Sequence, residues 1–440
     1  MSIEIIPIGG FSEIGRNCVA IKVDDEVVIL DMGLHLENYI HHSEATDMDD
    51  VADMSEETLI EVDAVPNIRS IDSLKEKVVG ICISHAHLDH VGAVPFLANN
   101  FDCPIYGSPF TIKVLTALVS DNRVKVKNEL IEKKQNTKFR ISKNIEVEFI
   151  SVTHSTPQTV IIAVHTKYGG VLYANDIKLD DKPMLGEKTN IKRLKEIKTK
   201  ALFLNCLYST TPGHTDSESV PANELKHFLL DNDLRGKNIF VTTFSSQIAR
   251  IKTVRDLAIK MGRKPVFLGR SLAKYTYAAQ DVNLVDFSDV NIVKYSNKVR
   301  KFLAQLPNPE DHLFIITGNQ GEPNATLSKI VYQDYFNFKP GDIVIFSCTV
   351  IPVEGNLDNR NRLEEALKQK HVDVYKDIHA SGHARHEDHR DFLKIVEPEY
   401  LIPLHGDRER MEKMKELGIE EGIEEKKVLI LRNDERIVLN

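Results

Sequence analysis

The run His85-Ala86-His87-Leu88-Asp89-His90 follows directly on the apolar segment Val78-Val79-Gly80-Ile81-Cys82-Ile83. The apolar segment reads as a buried strand, which puts the run in the loop at that strand's carboxyl end. Three imidazoles and a carboxylate in six residues are more donors than folding requires. This donor set suits zinc, iron or manganese, whereas purely structural zinc sites favour cysteine and a closed shell. Residues two apart in an extended loop point the same way, so His85 and His87 can grip one ion together. A helix is expected over 91–99, with Asp89 and His90 at its N-terminal end and turned toward a second ion. Six residues are too few to close two coordination shells, and further ligands are therefore expected downstream.

Three positions answer that demand. His154 stands in Ser151-Val152-Thr153-His154-Ser155-Thr156-Pro157, Asp176 in Leu172-Tyr173-Ala174-Asn175-Asp176, and His405 in Leu401-Ile402-Pro403-Leu404-His405-Gly406-Asp407. Each follows a strand-like run. A lone histidine or aspartate in such a turn is more often a hydrogen-bonded turn residue, and each gains weight only because a two-metal site needs it.

Around these positions the chain changes grammar twice. Strands are expected at 3–8, 19–23, 27–30, 78–83, 145–151, 160–165, 170–174 and 201–204, separated by turns such as Gly9-Gly10 and Asp31-Met32-Gly33. The middle of the chain instead repeats an apolar strand, a polar turn and a helix four times. The strands are 239–244, 266–268, 313–316 and 343–346, and the turns include Ser245-Ser246, Gly269-Arg270-Ser271 and Thr317-Gly318-Asn319-Gln320-Gly321. That order implies a parallel sheet with helices on its faces, whose ligands bind beyond the strands' carboxyl ends. Small and hydroxyl-bearing residues at helix N-termini there suit phosphate. The tail returns to strands at 400–403, 428–431 and 436–439. A first domain over 1–208 is thus expected to be completed by 373–440, with 209–372 inserted between them.

Composition bounds the remaining classes. The 440 residues carry a net charge of −9, which argues against an overall nucleic-acid magnet, yet no Lys or Arg occurs from Val23 to Ile68. Basic residues concentrate at 113–143 and 178–200, so a basic groove on an acidic body is compatible with the sequence. The acidic stretch from Glu44 to Asp63 reads as a solvated surface insertion. No segment approaches the ~18 apolar residues of a membrane span, and the N-terminus does not read as a secretory signal. Five scattered cysteines without CxxC spacing fit free thiols in a reducing cytoplasm.

The His85–His90 run, followed by single His, Asp and His ligands, resembles the metallo-β-lactamase fold. The inserted α/β unit closes with His379-Ala380-Ser381-Gly382-His383-Ala384, a feature similar to the β-CASP nucleases. Gly10-Phe11-Ser12-Glu13-Ile14-Gly15-Arg16-Asn17, Thr243–Arg250 and Thr317–Pro323 support the likeness, which runs from Ile5 to the C-terminus and points to an RNA-degrading branch in its archaeal form. The resemblance implies an α/β fold: an αββα metallo-β-lactamase sandwich with an inserted β-CASP domain of parallel sheet and flanking helices. It implies two Zn2+ per chain, with Mn2+ or Mg2+ as alternatives. His85, His87 and His154 would hold one ion and Asp89, His90 and His405 the other, with Asp176 bridging and Asp31 orienting a ligand. Asp89, Asp176 and His383 would be the catalytic set, His383 lying over the scissile phosphate. Ser245, Ser246 and the run His379, Ala380, Ser381, Gly382 and His383 would bind RNA phosphates.

The implied activity is hydrolysis of single-stranded RNA, 5′-to-3′ from 5′-monophosphate ends and with endonucleolytic cuts also open, by a cytoplasmic homodimer. Two departures stand out. Many relatives carry an acidic residue where an alignment anchored on Pro212-Gly213-His214-Thr215 puts Asn205. Bacterial members also continue into a C-terminal domain, whereas this chain stops at Asn440, so the dimer contacts of that domain are not assumed here. The rival readings are a DNA-cleaving member of the same group, a small-molecule hydrolase of thioesterase or lactonase type, and a non-catalytic scaffold. The hydrolase leaves the inserted unit without a task, and the scaffold conflicts with a full set of seven ligands.

Overall fold

The structure is a computed structural model that describes residues 2–45, 55–121, 124–351 and 355–439. Within the acidic stretch, 46–54 lie outside the described residues. The chain forms two compact units. The first comprises Met1–Asp181, Glu187–Thr215 and Gly382–Asn440, and the second Lys182–Gly186 and Asp216–Ser381. These divisions fall several residues later than 208/209 and 372/373. Thr215 is tied to the first unit: its N–H donates to Asp388 Oδ2 at 2.8 Å and its hydroxyl to the His383 carbonyl at 2.7 Å.

Two sheets make the first unit. One has seven strands in the order Ile437–Leu439, Ile3–Gly9, Cys18–Val23, Glu26–Leu30, Val78–Cys82, Ile105–Gly107 and Leu130–Glu132. The other has six, in the order Tyr400–Leu404, Thr199–Asn205, Gly169–Ala174, Val160–Thr166, Glu146–Ser151 and Thr137–Arg140. Their shared core takes Ile5, Ile21, Val28 and Leu30 from the first sheet and Val147, Phe149, Ile162, Leu202 and Phe203 from the second. Phe11 meets Phe203 edge-on with ring centroids 6.3 Å apart. The inner strands of these mixed sheets are mostly buried along their length because both faces are covered. Helix Pro109–Asp121 packs on the first sheet and helix Arg408–Glu420 on the second, completing the αββα layering.

Strand direction decides where chemistry can sit. Glu26–Leu30 runs parallel to Val78–Cys82, and Gly169–Ala174, Thr199–Asn205 and Tyr400–Leu404 run parallel to one another. Asp31, His85, Asp176, Asn205 and His405 therefore fall at or just beyond carboxyl ends of strands.

The second unit is built on six strands, all parallel, in the order Asn291–Val293, Lys264–Leu268, His312–Ile316, Ile239–Thr242, Ile343–Phe346 and Asp373–Tyr375. Helices Ile248–Lys260, Arg270–Asp281, Thr326–Tyr332 and Asn356–Gln369 follow four of these strands. The four inner strands are those expected from the sequence. The two edge strands are three residues each and half-buried to exposed, too short and too polar to stand out.

Two local expectations are corrected. The helix placed at 91–99 begins earlier and is broken into Leu88–Val91, Val94–Leu97 and the 3-10 turn Ala98–Asn100. Gly92 ends the first piece, and Pro95, which lacks a donor N–H, sits in the first turn of the next. The strand placed at 428–431 is reduced to one parallel bridge between Leu401 and Val428. The segment crosses between sheets: Leu429 N–H donates to the Leu401 carbonyl, while Asp434 N–H donates to the Pro7 carbonyl. Among the described residues no helix is long and apolar enough to cross a membrane.

Glu148, 7% exposed, ties the second sheet to helix Ile191–Glu196. It accepts from Arg193 at 2.7 and 2.9 Å and faces His165 Nε2 at 2.8 Å. Burial alone would raise its pKa, but His165 and Arg193 outweigh burial and hold it at about 2. A carboxyl held below its ordinary value stabilises the fold above that value and stops doing so as pH falls through the lowered one. Glu148→Gln is expected to lower unfolding free energy by about 2 kcal/mol at neutral pH. Urea unfolding at pH 7 and about pH 4 checks this, since the deficit must shrink at the lower pH; an unchanged deficit contradicts it.

Candidate metal centre

The loop after Val78–Cys82 delivers Ser84, His85 and His87, and His87 caps the short helix Leu88–Val91 that carries Asp89 and His90. His154 follows Glu146–Ser151, Asp176 follows Gly169–Ala174, and His405 follows Tyr400–Leu404. These seven side chains gather in two groups. His85, His87, His154 and Asp176 form one, Asp89, His90 and His405 the other, with donor atoms within 4.8 Å of one another in each.

One atom joins the groups. Asp176 Oδ2 lies 3.4 Å from His85 Nε2, 3.5 Å from His154 Nε2 and 3.4 Å from His90 Nε2. Within the first group His87 Nδ1 is 3.1 Å from His85 Nε2 and 3.2 Å from His154 Nε2. In the second, Asp89 Oδ2 is 3.3 Å from His90 Nε2 and 3.8 Å from His405 Nε2.

The remaining ring nitrogens fix which atom faces inward. His154 Nδ1 donates to the Gly382 carbonyl at 2.7 Å, and His90 Nδ1 to Asp31 Oδ2 at 2.7 Å. Asp31 also accepts from Ser84 N–H at 2.7 Å and from the Ser84 hydroxyl at 2.8 Å, and that hydroxyl lies 3.0 Å from His85 Nδ1. In the neutral ring each Nε2 so oriented presents a lone pair.

Burial drives His87 to about 3 and His85 to about 4, and lowers His154 and His405 as well. Neutral imidazoles are the ligand form. Burial opposes charge on His90, yet Asp89, Asp176 and Asp31 together push its pKa far up. Burial would also raise Asp89 and Asp176, but the neighbouring histidines hold both carboxyls well below the ordinary range. Lone-pair nitrogens about 3 Å apart repel unless they share a cation, and converging carboxylates favour positive charge. The donor set fits two divalent cations.

His383 adjoins the centre. Its Nδ1 is 3.8 Å from Asp176 Oδ1, and its ring lies 6.0 Å from that of His405 at 11°. Asn205 Nδ2 donates to Asp176 Oδ1 at 2.7 Å and lies 3.4 Å from His383 Nδ1, so an amide does occupy that place beside Asp176 and His383. A Cβ on Gly382 would meet Ser155 Cβ at 2.7 Å and His154 Cε1 at 3.0 Å, so only glycine fits there. Gly382 and His383 belong to the first unit; Ser245, Ser246, His379, Ala380 and Ser381 belong to the second. There Ser245 Oγ lies 2.9 Å from Ser271 Oγ, Phe244 packs near the His379 ring at 6.4 Å, and Ala380 is buried. Sequence reasoning gave no site role to Ser84 or Asn17; Gly10–Asn17 stood out only as a supporting segment.

Fold and donor set together define a metallo-hydrolase of the metallo-β-lactamase superfamily carrying a β-CASP unit. Residues 12–207 match the family described as "Metallo-beta-lactamase superfamily", 236–367 "Ribonuclease J, beta-CASP domain", and 371–430 "Zn-dependent metallo-hydrolase RNA specificity domain". The chain is 39% identical over 434 residues to ribonuclease J of Methanocaldococcus jannaschii, covering 96% of this chain and 95% of that one. It is 38% identical over 438 residues to ribonuclease J of Pyrococcus abyssi, covering 98% and 96%. The chain belongs to the ribonuclease J family. A solved structure of a protein of unknown function from Enterococcus faecalis shares the fold, with a TM-score of 0.66 at 18% identity over all of both chains.

If cations seat in these groups they stabilise the folded state by mass action, about 4 kcal/mol at ~1,000-fold excess over the dissociation constant. Calorimetry is expected to show melting fall with chelator and recover with added zinc. A profile indifferent to both contradicts the cation site.

Proposed function

We propose that the chain is a metal-dependent ribonuclease that hydrolyses phosphodiester bonds of single-stranded RNA, 5′-to-3′ from 5′-monophosphate ends, with endonucleolytic cuts as a secondary mode. The observation that carries this reading is Asp176 Oδ2, within 3.5 Å of nitrogens from both ligand groups, with His383 beside the same carboxylate. Family membership supplies the substrate class, since the relatives in question are named ribonuclease J. All five cysteines are buried and free, which supports a reducing, cytoplasmic setting.

His85, His87 and His154 would hold one Zn2+, Asp89, His90 and His405 the other, with Asp176 between them. When bound, the pair supplies Lewis acidity toward phosphate oxygens and lowers the pKa of water. The chain's own residues do the rest. Asp31 holds His90 through Nδ1, and the Gly382 carbonyl holds His154, so neither ring turns away from its task. Asn205 fixes Asp176 from the side opposite the histidines' claim on Oδ2. His383 is the proton donor to the leaving 3′-oxygen, delivering from Nε2 while Nδ1 faces Asp176. Ser245, Ser246 and the run His379, Ala380, Ser381, Gly382 and His383 are the residues that would contact RNA phosphates.

Replacing His87 or Asp176 with Ala is expected to abolish hydrolysis while RNA binding persists, and His383→Ala to slow it by about 10²–10⁴-fold. The measurement follows products from end-labelled RNA carrying a 5′-monophosphate or a triphosphate, beside single-stranded DNA and a thioester. Mononucleotides released from the monophosphate RNA alone support the reading. Faster cleavage of DNA or the thioester, or undiminished cleavage by Asp176→Ala, overturns it.

A further inference from the structure

We propose that Asn17 is the positioning residue of the second ligand group, holding His405 and Asp89 in place for a zinc-type divalent cation. The inference rests on the metal-dependent reading above. Asn17 is fully buried and lies 388 residues from His405 in sequence. Its backbone N–H and its side-chain Nδ2 both donate to the Asp89 carbonyl, each at 3.0 Å. Nδ2 is also 3.2 Å from His90 Nε2. The His405 Nδ1 lies 3.0 Å from Asn17 Oδ1 and 2.9 Å from Nδ2.

The chemistry of the partners assigns the amide. A carbonyl can only accept, so the amide nitrogen belongs to Asp89 and the oxygen to His405. Oδ1 accepting from His405 Nδ1–H makes Nδ1 the protonated nitrogen and leaves the Nε2 lone pair directed toward Asp89 Oδ2, 3.8 Å away. Three other histidines of the centre follow the same rule. His154 has the Gly382 carbonyl on Nδ1, His90 has Asp31, and His85 has the Ser84 hydroxyl. For His405 that outer partner is Asn17.

The surrounding loop is shaped to keep the amide there. Gly10, at φ +83°, could carry no side chain, since a Cβ would meet Asn17 Oδ1 at 2.5 Å. The Gly10 carbonyl accepts from His405 N–H at 2.7 Å, and the Asn17 carbonyl from Gly33 N–H at 3.0 Å. Glu13 closes the loop by accepting from Gly10 N–H at 2.9 Å, Arg16 Nε at 2.8 Å and Asn433 Nδ2 at 2.8 Å. The segment Gly10–Asn17 thereby acquires a role: it clamps two ligands that come from distant parts of the chain.

The test is zinc binding to metal-free full-length protein, read by competition with a chromophoric chelator and by the visible absorption of the Co2+ form. Wild type is expected to take two equivalents. Asn17→Leu, similar in shape but without an acceptor, should weaken one equivalent by about 10–100-fold and alter the Co2+ bands while the other equivalent stays. Asn17→Asp keeps an acceptor for His405 Nδ1–H and should bind closer to wild type than the Leu variant does. Wild-type affinity and spectrum in Asn17→Leu overturn the proposal. So does equal loss of both equivalents in both variants with native circular dichroism lost alike, which would mark Asn17 as structural only. No zinc bound by wild type would instead overturn the metal-dependent reading itself.

Discussion

Asp176, only 3% exposed, turns Oδ2 toward the Nε2 atoms of His85, His154 and His90 at 3.4 to 3.5 Å, and the strand ends of the first unit converge on that contact. A carboxylate so deeply buried is costly unless positive charge or donors surround it. The chain supplies part of the answer itself, because Asp31, Asp89 and Asp176 together drive His90 toward its charged form. The same field favours a cation lodged among these groups. Two sheets, packed face to face, bring the carboxyl ends of their strands to one edge, and the ligand-bearing turns all leave from that edge.

Those turns hold uncommon backbone. Asp31 at φ 60° and His405 at φ 55° are left-handed without being glycine, which costs on the order of 1 kcal/mol or more each. Their surroundings over-determine them. Asp31 N–H donates to the Cys82 carbonyl and its carboxylate takes both Ser84 donors, while His405 N–H is held by the Gly10 carbonyl. Gly33 leaves no alternative, since a Cβ there would lie 1.7 Å from the Asp89 carbonyl oxygen. Strain at turns that carry clustered donors, held by rigid neighbours, is how a fold aims side chains that would otherwise settle elsewhere.

Much of this was legible in the sequence, for identifiable reasons. His85–His90 concentrates donors beyond any structural need, and His154, Asp176 and His405 each end an apolar run, so strand-end logic found them. The four inner strands of the second unit were legible because each is a short apolar run followed by a polar turn and a helix. Asn17 was not, because an amide is not a recognisable ligand type and its partners Asp89 and His405 are 72 and 388 residues away. The helix over 91–99 is broken in the structure because Gly92 and Pro95 fall inside it. The segment 428–431 misled because a short apolar run, Val428-Leu429-Ile430-Leu431, does not show that a chain is crossing between sheets. Ser245 carried only the general phosphate reading of a strand-end turn, and His379 carried chemistry only through resemblance, since serine and histidine in turns have no distinctive spacing.

Asn205 sets how Asp176 and His383 meet. Its Nδ2 donates to Asp176 Oδ1 at 2.7 Å, and its Oδ1 accepts from Leu207 N–H at 2.8 Å. The amide's orientation is thus set by a backbone donor that can pair only with oxygen. Its nitrogen must then face both Asp176 and, at 3.4 Å, His383 Nδ1. A carboxylate in the same place would offer His383 an acceptor and would repel Asp176. The amide does the reverse, supporting Asp176 as an acceptor and leaving that aspartate, 3.8 Å away, as the carboxylate that faces the His383 Nδ1. In this chain Asp176 therefore faces the clustered imidazoles through Oδ2 and borders His383 through Oδ1, which couples the position of the His383 ring to the carboxylate between the two donor groups.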